Sequence, residues 1–239
     1  MRALLLAAGL GKRLRPLTDT VPKCLVPIAG RPLIDYWFDR LFASGLVERA
    51  LVNTHYLAGL VEEHVSHSPW AGRVDLVYEP DLLGTAGTIK SNRDYFGNED
   101  VLVAHADNFA TFDVSQFVAA HASRPAHVAM TMLTFRTDDP RSCGILELDA
   151  SGVVVGFHEK VPNPPGNLAN GAVYILTPEV LDFIAGQKGS VIDLSTEIIP
   201  HFVGRILAVE SRGYHRDIGT LESLRQANAD AELLFKLPT

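Results

Sequence analysis

Four cations crowd one short stretch of this 239-residue chain: Lys12, Arg13, Arg15 and Lys23. They surround Ala7-Ala8-Gly9-Leu10-Gly11, where side-chain bulk is removed as the chain leaves the apolar run Leu4-Leu5-Leu6. Small residues let backbone N–H groups approach a ligand closely, and the cations place positive charge around that approach. The ligand suggested is a polyphosphate. Gly9 and Gly11 alone are a weak signal, because many Gly-x-Gly turns only pack a helix on a sheet. Leu14 stands where the dinucleotide fingerprint wants a third glycine, and no glycine-lysine-serine/threonine follows at P-loop spacing, so both motifs fail. The added basic residues and Pro22-Lys23 carry the functional reading.

Two further groups have the right chemistry for such a ligand. Asp107 follows a buried run and Asp217 lies in Arg216-Asp-Ile-Gly-Thr220. Magnesium is typically held by one or two carboxylates, with substrate phosphates and water completing the shell. Taken singly, each aspartate reads first as a cap or turn residue. Leu83-Gly84-Thr85-Ala86-Gly87-Thr88-Ile89 is a small-residue loop between a strand and a helix. A planar base could rest on such a backbone, and an ordinary glycine-rich connection would look the same.

The elements that must position these residues alternate. Leu4–Leu6 reads as a parallel strand covered on both faces. Pro32–Ala43 is predicted as a helix presenting Ile34, Trp37, Phe38 and Leu41, followed by a strand at 50–53 and a helix at 57–65. Strands are expected at 74–78 and 101–104, the latter leading into His105-Ala106-Asp107-Asn108. The second half is more mixed, with strands at 128–135, 145–148 and 172–176 and a hairpin continuation over 152–160. Thr177-Pro178 should open a helix, with threonine as cap. Residues 221–234 form a closing amphipathic helix, leaving a dimer through it as one arrangement. The pattern implies an α/β fold with a mostly parallel, Rossmann-like sheet flanked by helices, in one domain over 1–239. Residues 1–105 would form its nucleotide-binding half and 106–239 the remainder.

Composition bounds the reading. The chain is 47% hydrophobic and 21% charged, with a net charge of −7. That balance suits a soluble globular protein and argues against nonspecific nucleic-acid or membrane binding. No stretch approaches the roughly 20 apolar residues of a membrane span. The N-terminus lacks a secretory pattern, making the cytoplasm the expected compartment. Cys24 and Cys143 lack metal-ligand spacing; beside Lys23, Cys24 reads as an activated thiol or, better, as a small buried filler.

The composite LLLAAGLGKRLRPLT with VPKCLVPIAGRPLI resembles the signature of the sugar-phosphate nucleotidyltransferases, and the resemblance covers nearly the whole chain. Lys12 stands at that family's usual threonine. The resemblance implies catalytic roles for Arg13 and Lys23, and nucleotide contacts from Leu6, Ala8, Gly9, Gly11 and Lys12. LGTAG matches the family's base-binding segment in the form found in mannose- and heptose-phosphate guanylyltransferases, implying base contacts at Gly84, Thr85, Ala86 and Gly87. Asp107 and Asp217 match its Mg2+ positions. Gly144, Glu159, Lys160 and Asn170 match its sugar-phosphate positions, with the alanine-glycine order after the asparagine inverted here.

The expected partners are therefore a nucleoside triphosphate, with GTP favoured, and a sugar 1-phosphate, mannose or manno-heptose. Because the attacking phosphate's second pKa is about 6, no general base is required, and His105, His158 and His215 need no catalytic role. Rival readings are uridylyl transfer to N-acetylmuramic acid 1-phosphate, cytidylyl transfer to phosphocholine, and a catalytically silent nucleotide-sugar-binding regulatory protein.

Overall fold

Alternation along the first strand separates the two main cores. Leu4 enters one cluster with Val101 and Val103, whereas Ala3 and Leu5 enter the other with Leu102 and Ala104. Successive side chains of a strand point to opposite faces, so a sheet apolar on both sides must be covered on both sides.

The computed structural model describes residues 1–234. Its strands are β1 (Arg2–Leu6), β2 (Pro27–Ile28), β3 (Arg31–Pro32), β4 (Arg49–Thr54), β5 (Val74–Tyr78), β6 (Val101–His105) and β7 (Asn108–Ala110). They continue as β8 (Met130–Arg136), β9 (Gly144–Leu148), β10 (Val154–Glu159), β11 (Leu168–Leu176), β12 (Ile206–Glu210) and β13 (His215–Asp217). The α-helices are α1 (Leu33–Ala43), α2 (Ala58–His67), α3 (Gly84–Ser91), α4 (Arg93–Phe96), α5 (Val114–Ala122), α6 (Pro178–Ala185) and α7 (Leu221–Leu234). None of these helices is long and apolar enough to cross a membrane.

The main sheet runs β10-β9-β11-β6-β1-β4-β5. Its β6-β1-β4-β5 part is parallel. Beyond β6 the direction reverses: β11 is antiparallel to β6, β8 and β9, while β12 joins β8 in parallel. The α/β fold with a parallel centre is as expected, and the antiparallel half corresponds to the mixed pattern after residue 128.

Register places the chemistry. Leu6 lies opposite both His105 and Asn53, so the turn after β1 and the chain leaving β6 emerge side by side at the strands' carboxyl ends. Ligands of open α/β sheets gather there. A separate ribbon, β7 with β13, pairs Asn108 with Asp217. Ile218 N also donates to the Asp107 carbonyl at 3.0 Å, which sets two aspartates 110 positions apart in number beside each other.

Three local expectations change. The LGTAG segment is not a loop: α3 begins at Gly84 itself, with Ala86 and Gly87 N donating to the Ile192 carbonyl at 3.0 and 3.1 Å. The Thr177 hydroxyl does not cap α6, because it donates to the Ala129 carbonyl at 2.9 Å. The closing helix α7 buries Ala227 and Ala231 against Leu14, Val26, Ile28, Leu33, Phe109 and Ile218. Part of its apolar face is thus spent inside the molecule, bracing the 14–33 segment.

Candidate active site

Lys23 is the hinge of the site. It sits in a 3-10 turn opened by Pro22, beside the buried Cys24. Its side chain is 10% exposed, and its Nζ lies 2.5 Å from Asp107 Oδ2 and 3.5 Å from Asp217 Oδ1. The two carboxylate oxygens are therefore no further apart than the sum of those distances. Arg13 Nη2 reaches Asp217 Oδ2 at 3.8 Å from the exposed rim. Burial pushes the Asp107 carboxyl upward, but the charges of Lys23 and His105 and the Lys23 hydrogen bond hold it below its ordinary value. Burial drives the Cys24 thiol up to about 12, so it is a buried filler and not an activated nucleophile.

Two cavities flank this cluster: Lys23 and Asp107 line one, and Asp217, which Lys23 also contacts, lines the other. One, of about 230 Å³, is lined by Leu6, Ala8, Gly9, Lys23, Glu79 and Asp107 among others, with Gly84 and Thr85 at its far wall. The second, of about 770 Å³, is lined by Arg13, Phe135, Lys160, His215 and Asp217 among others. The first lies on the β6-β1-β4-β5 side and the second beside β13 and the end of β8. A site for two anions with the reacting groups between them has this form.

Other expected residues support these walls from behind. Gly11 adopts φ +61°, and a Cβ there would lie 2.9 Å from Thr18 Cγ2. Lys12 is exposed in the following turn, and neither residue lines either of these two cavities. Ala86 and Gly87 are buried and also leave the walls. A Cβ on Gly84 would sit 2.6 Å from the Ile192 carbonyl oxygen, and one on Gly87 2.3 Å from that of Ser190. Both glycines let α3 approach the 190–192 backbone, a packing demand that a base-binding role does not express. Gly144 makes room in the same way, since its Cβ would lie 2.5 Å from Glu159 Oε2. Glu159 in turn pairs with the exposed Lys160 at 3.2 Å.

Asn170 is largely occupied. Its Oδ1 accepts from Ala172 N at 2.9 Å and its Nδ2 donates to Tyr174 Oη at 2.7 Å. The pairing of β11 with β8 slips between Asn170 and Tyr174, and Ala172 is held at φ +52°. The side chain thus braces a bulge, leaving one N–H and one lone pair for any ligand.

Sequence reasoning passed over the polar floor of the smaller cavity. Glu79, just past the end of β5, is buried. Its Oε1 lies 2.6 Å from Thr88 Oγ1 and 3.1 Å from Asn53 Nδ2. Asn53 Oδ1 also accepts from Ala7 N at 2.7 Å, linking this floor to the glycine turn after β1. Oε2 of Glu79 accepts no hydrogen bond among the described residues. The available signal was a carboxylate at a strand's carboxyl end, immediately before the glycine segment.

The chain has clear relatives. A family described as nucleotidyl transferase matches residues 2–233. A mannose-1-phosphate guanylyltransferase of Mycobacterium tuberculosis is 30% identical over 233 residues, which cover 95% of this chain and 64% of the relative. A glucose-1-phosphate thymidylyltransferase of Streptomyces griseus is 31% identical over 237 residues, covering 95% and 65%. The chain thus spans a little less than two thirds of the length of these relatives. HddC from Yersinia pseudotuberculosis, crystallised with GMP-PN, superposes with a TM-score of 0.80 at 25% identity, over 96% of this chain and 99% of that one. The paired cavities, the lysine between them and a match across nearly the whole length agree: this chain belongs to the nucleotidyl transferase family.

Proposed function

We propose that the protein is a sugar-1-phosphate guanylyltransferase, joining GTP to mannose 1-phosphate or a manno-heptose 1-phosphate with release of pyrophosphate. The observation that carries the base assignment is Glu79. Guanine presents two adjacent donors on its pairing edge, N1–H and the 2-amino group, whereas uracil and thymine present flanking carbonyl acceptors. A buried carboxylate whose Oε1 is fixed by Thr88 and Asn53 offers an acceptor to the donor edge and repels the others. The guanine-type ligand bound by HddC supports the same reading.

The chemical problem is bringing two anions together, and the remedy is charge and alignment. The sugar phosphate is mostly dianionic at neutral pH and attacks the α-phosphorus without a general base. In this reading Lys23 contacts the reacting phosphates, Arg13 neutralises the triphosphate and departing pyrophosphate, and Lys160 holds the acceptor phosphate. Leu6, Ala8 and Gly9 shape the nucleotide turn. Gly144 gives Glu159 the space to orient Lys160.

Asp107 and Asp217 fit a magnesium ion, because both carboxylates already converge on one cationic group. Gly219 keeps that corner open, since a Cβ there would lie 2.6 Å from Asp217 Oδ2. Among the described residues no cluster of three or more metal-ligating side chains occurs, so phosphates and water would complete the shell. When bound, such an ion supplies Lewis-acid charge neutralisation at phosphate oxygens.

The test is a pyrophosphate-release grid of GTP, UTP, CTP, ATP and dTTP against mannose, glucose, manno-heptose and N-acetylmuramic acid 1-phosphates, with phosphocholine. Turnover should concentrate in the GTP row with mannose or heptose. A preference for UTP overturns the base assignment, and silence across the grid favours a regulatory binding protein.

A further inference from the structure

Three buried side-chain polar atoms lack a partner among the described residues: His105 Nε2, Thr134 Oγ1 and His215 Nδ1. Two of them belong to residues two positions before Asp107 and Asp217. On a strand, residues two apart share a face, so His215 in β13 presents its ring on the side of Asp217. Both residues line the larger cavity.

The ring of His215 is held from two sides. It stacks on Phe135 with centroids 4.0 Å apart and planes 19° off parallel. Its Nε2 lies 2.9 Å from the Gly171 carbonyl oxygen, which can only accept. The proton therefore resides on Nε2, and Nδ1 carries a lone pair with nothing to receive. Nδ1 faces no acceptor among the described residues, so nothing there would hold a second proton. A buried acceptor left unmade is costly, and the adjoining cavity is where a donor would enter.

We propose that His215 Nδ1 accepts a hydrogen bond from a hydroxyl of the acceptor substrate, making His215 a specificity-determining residue for hydroxyl-bearing sugar phosphates. The inference rests on the sugar-phosphate reading above. It also disfavours an acceptor such as phosphocholine, whose trimethylammonium head has no hydroxyl to donate. Asn170 cannot take over the contact fully, because its amide is mostly engaged within the bulge.

The experiment measures binding by calorimetry, so it needs no turnover. Wild type, His215→Phe and His215→Gln are each titrated with GDP, GDP-mannose and the monodeoxy analogues of its mannosyl ring. Phenylalanine keeps the stack on Phe135, while glutamine offers one donor for Gly171 and one acceptor in place of Nδ1. In wild type one monodeoxy analogue should bind roughly 3- to 10-fold more weakly than GDP-mannose. His215→Phe should bind that analogue and GDP-mannose alike with GDP affinity unchanged, and His215→Gln should regain discrimination. The proposal fails if His215→Phe discriminates among the analogues as wild type does, or if GDP and GDP-mannose binding weaken together. A wild type that binds GDP-mannose no better than GDP overturns the underlying sugar reading instead.

Discussion

Replacing Glu79 by Gln should exchange the nucleotide preference without disturbing the fold. The oxygen facing Thr88 and Asn53 must remain an oxygen, because Asn53 Nδ2 approaches it as a donor at 3.1 Å and the Thr88 hydroxyl at 2.6 Å. The new NH2 is thereby forced to the position of Oε2, where guanine would bring its own donors. Hydrogen bonds to charged groups contribute about 1.5–3 kcal/mol, so kcat/KM for GTP should fall roughly 10- to 150-fold. UTP and dTTP should lose less or gain, since their carbonyls can accept from an amide. Pyrophosphate release with mannose 1-phosphate and GTP, ITP, UTP or dTTP measures this directly. ITP lacks the 2-amino group and should already be poorer than GTP in wild type. A Glu79→Gln enzyme that keeps the wild-type ratio of GTP to UTP turnover refutes the argument.

Lys23→Ala, Arg13→Ala and Asp107→Asn should each lower kcat/KM by about 100- to 1,000-fold while the circular dichroism spectrum persists, as expected for lost charge stabilisation; near-wild-type turnover removes that residue from the mechanism. Gly87→Ala should lower folding stability by roughly 1–3 kcal/mol in urea titrations, because its Cβ would fall 2.3 Å from the Ser190 carbonyl oxygen. An unchanged midpoint would show that the 190–192 segment yields. His121, hydrogen-bonded to Thr131, is pushed by burial from its ordinary value near 6.5 down to about 4. Between those values the unfolded chain takes a proton that the folded one refuses, so this contribution is complete above pH 6.5 and shrinks as pH falls toward 4. The melting temperature should drop across that window, and less so in His121→Gln; equal slopes in the two proteins would remove His121 as the cause.

The parallel half of the sheet was legible because its strands are short apolar runs separated by helical periodicity, and such local patterns survive without knowledge of neighbours. The basic turn was legible for a similar reason, since small residues and cations follow one another within a few positions. LGTAG misled as a loop because its glycines answer to a distant backbone at 190–192, which local propensity cannot anticipate. The slip in β11 pairing that engages most of the Asn170 amide was likewise beyond any local pattern.

By itself, then, the sequence determined the α/β class, the small-residue basic turn, and the cations and carboxylates available to a site. Tertiary structure alone decided that Asp107 and Asp217 converge on Lys23, because their meeting depends on the β7–β13 register and not on spacing along the chain. It also decided the environments of Glu79 and His215. Whether a carboxylate or an imidazole is a solvated surface group or a fixed, partnerless acceptor is set by what packs around it, and burial is a property of the assembled fold.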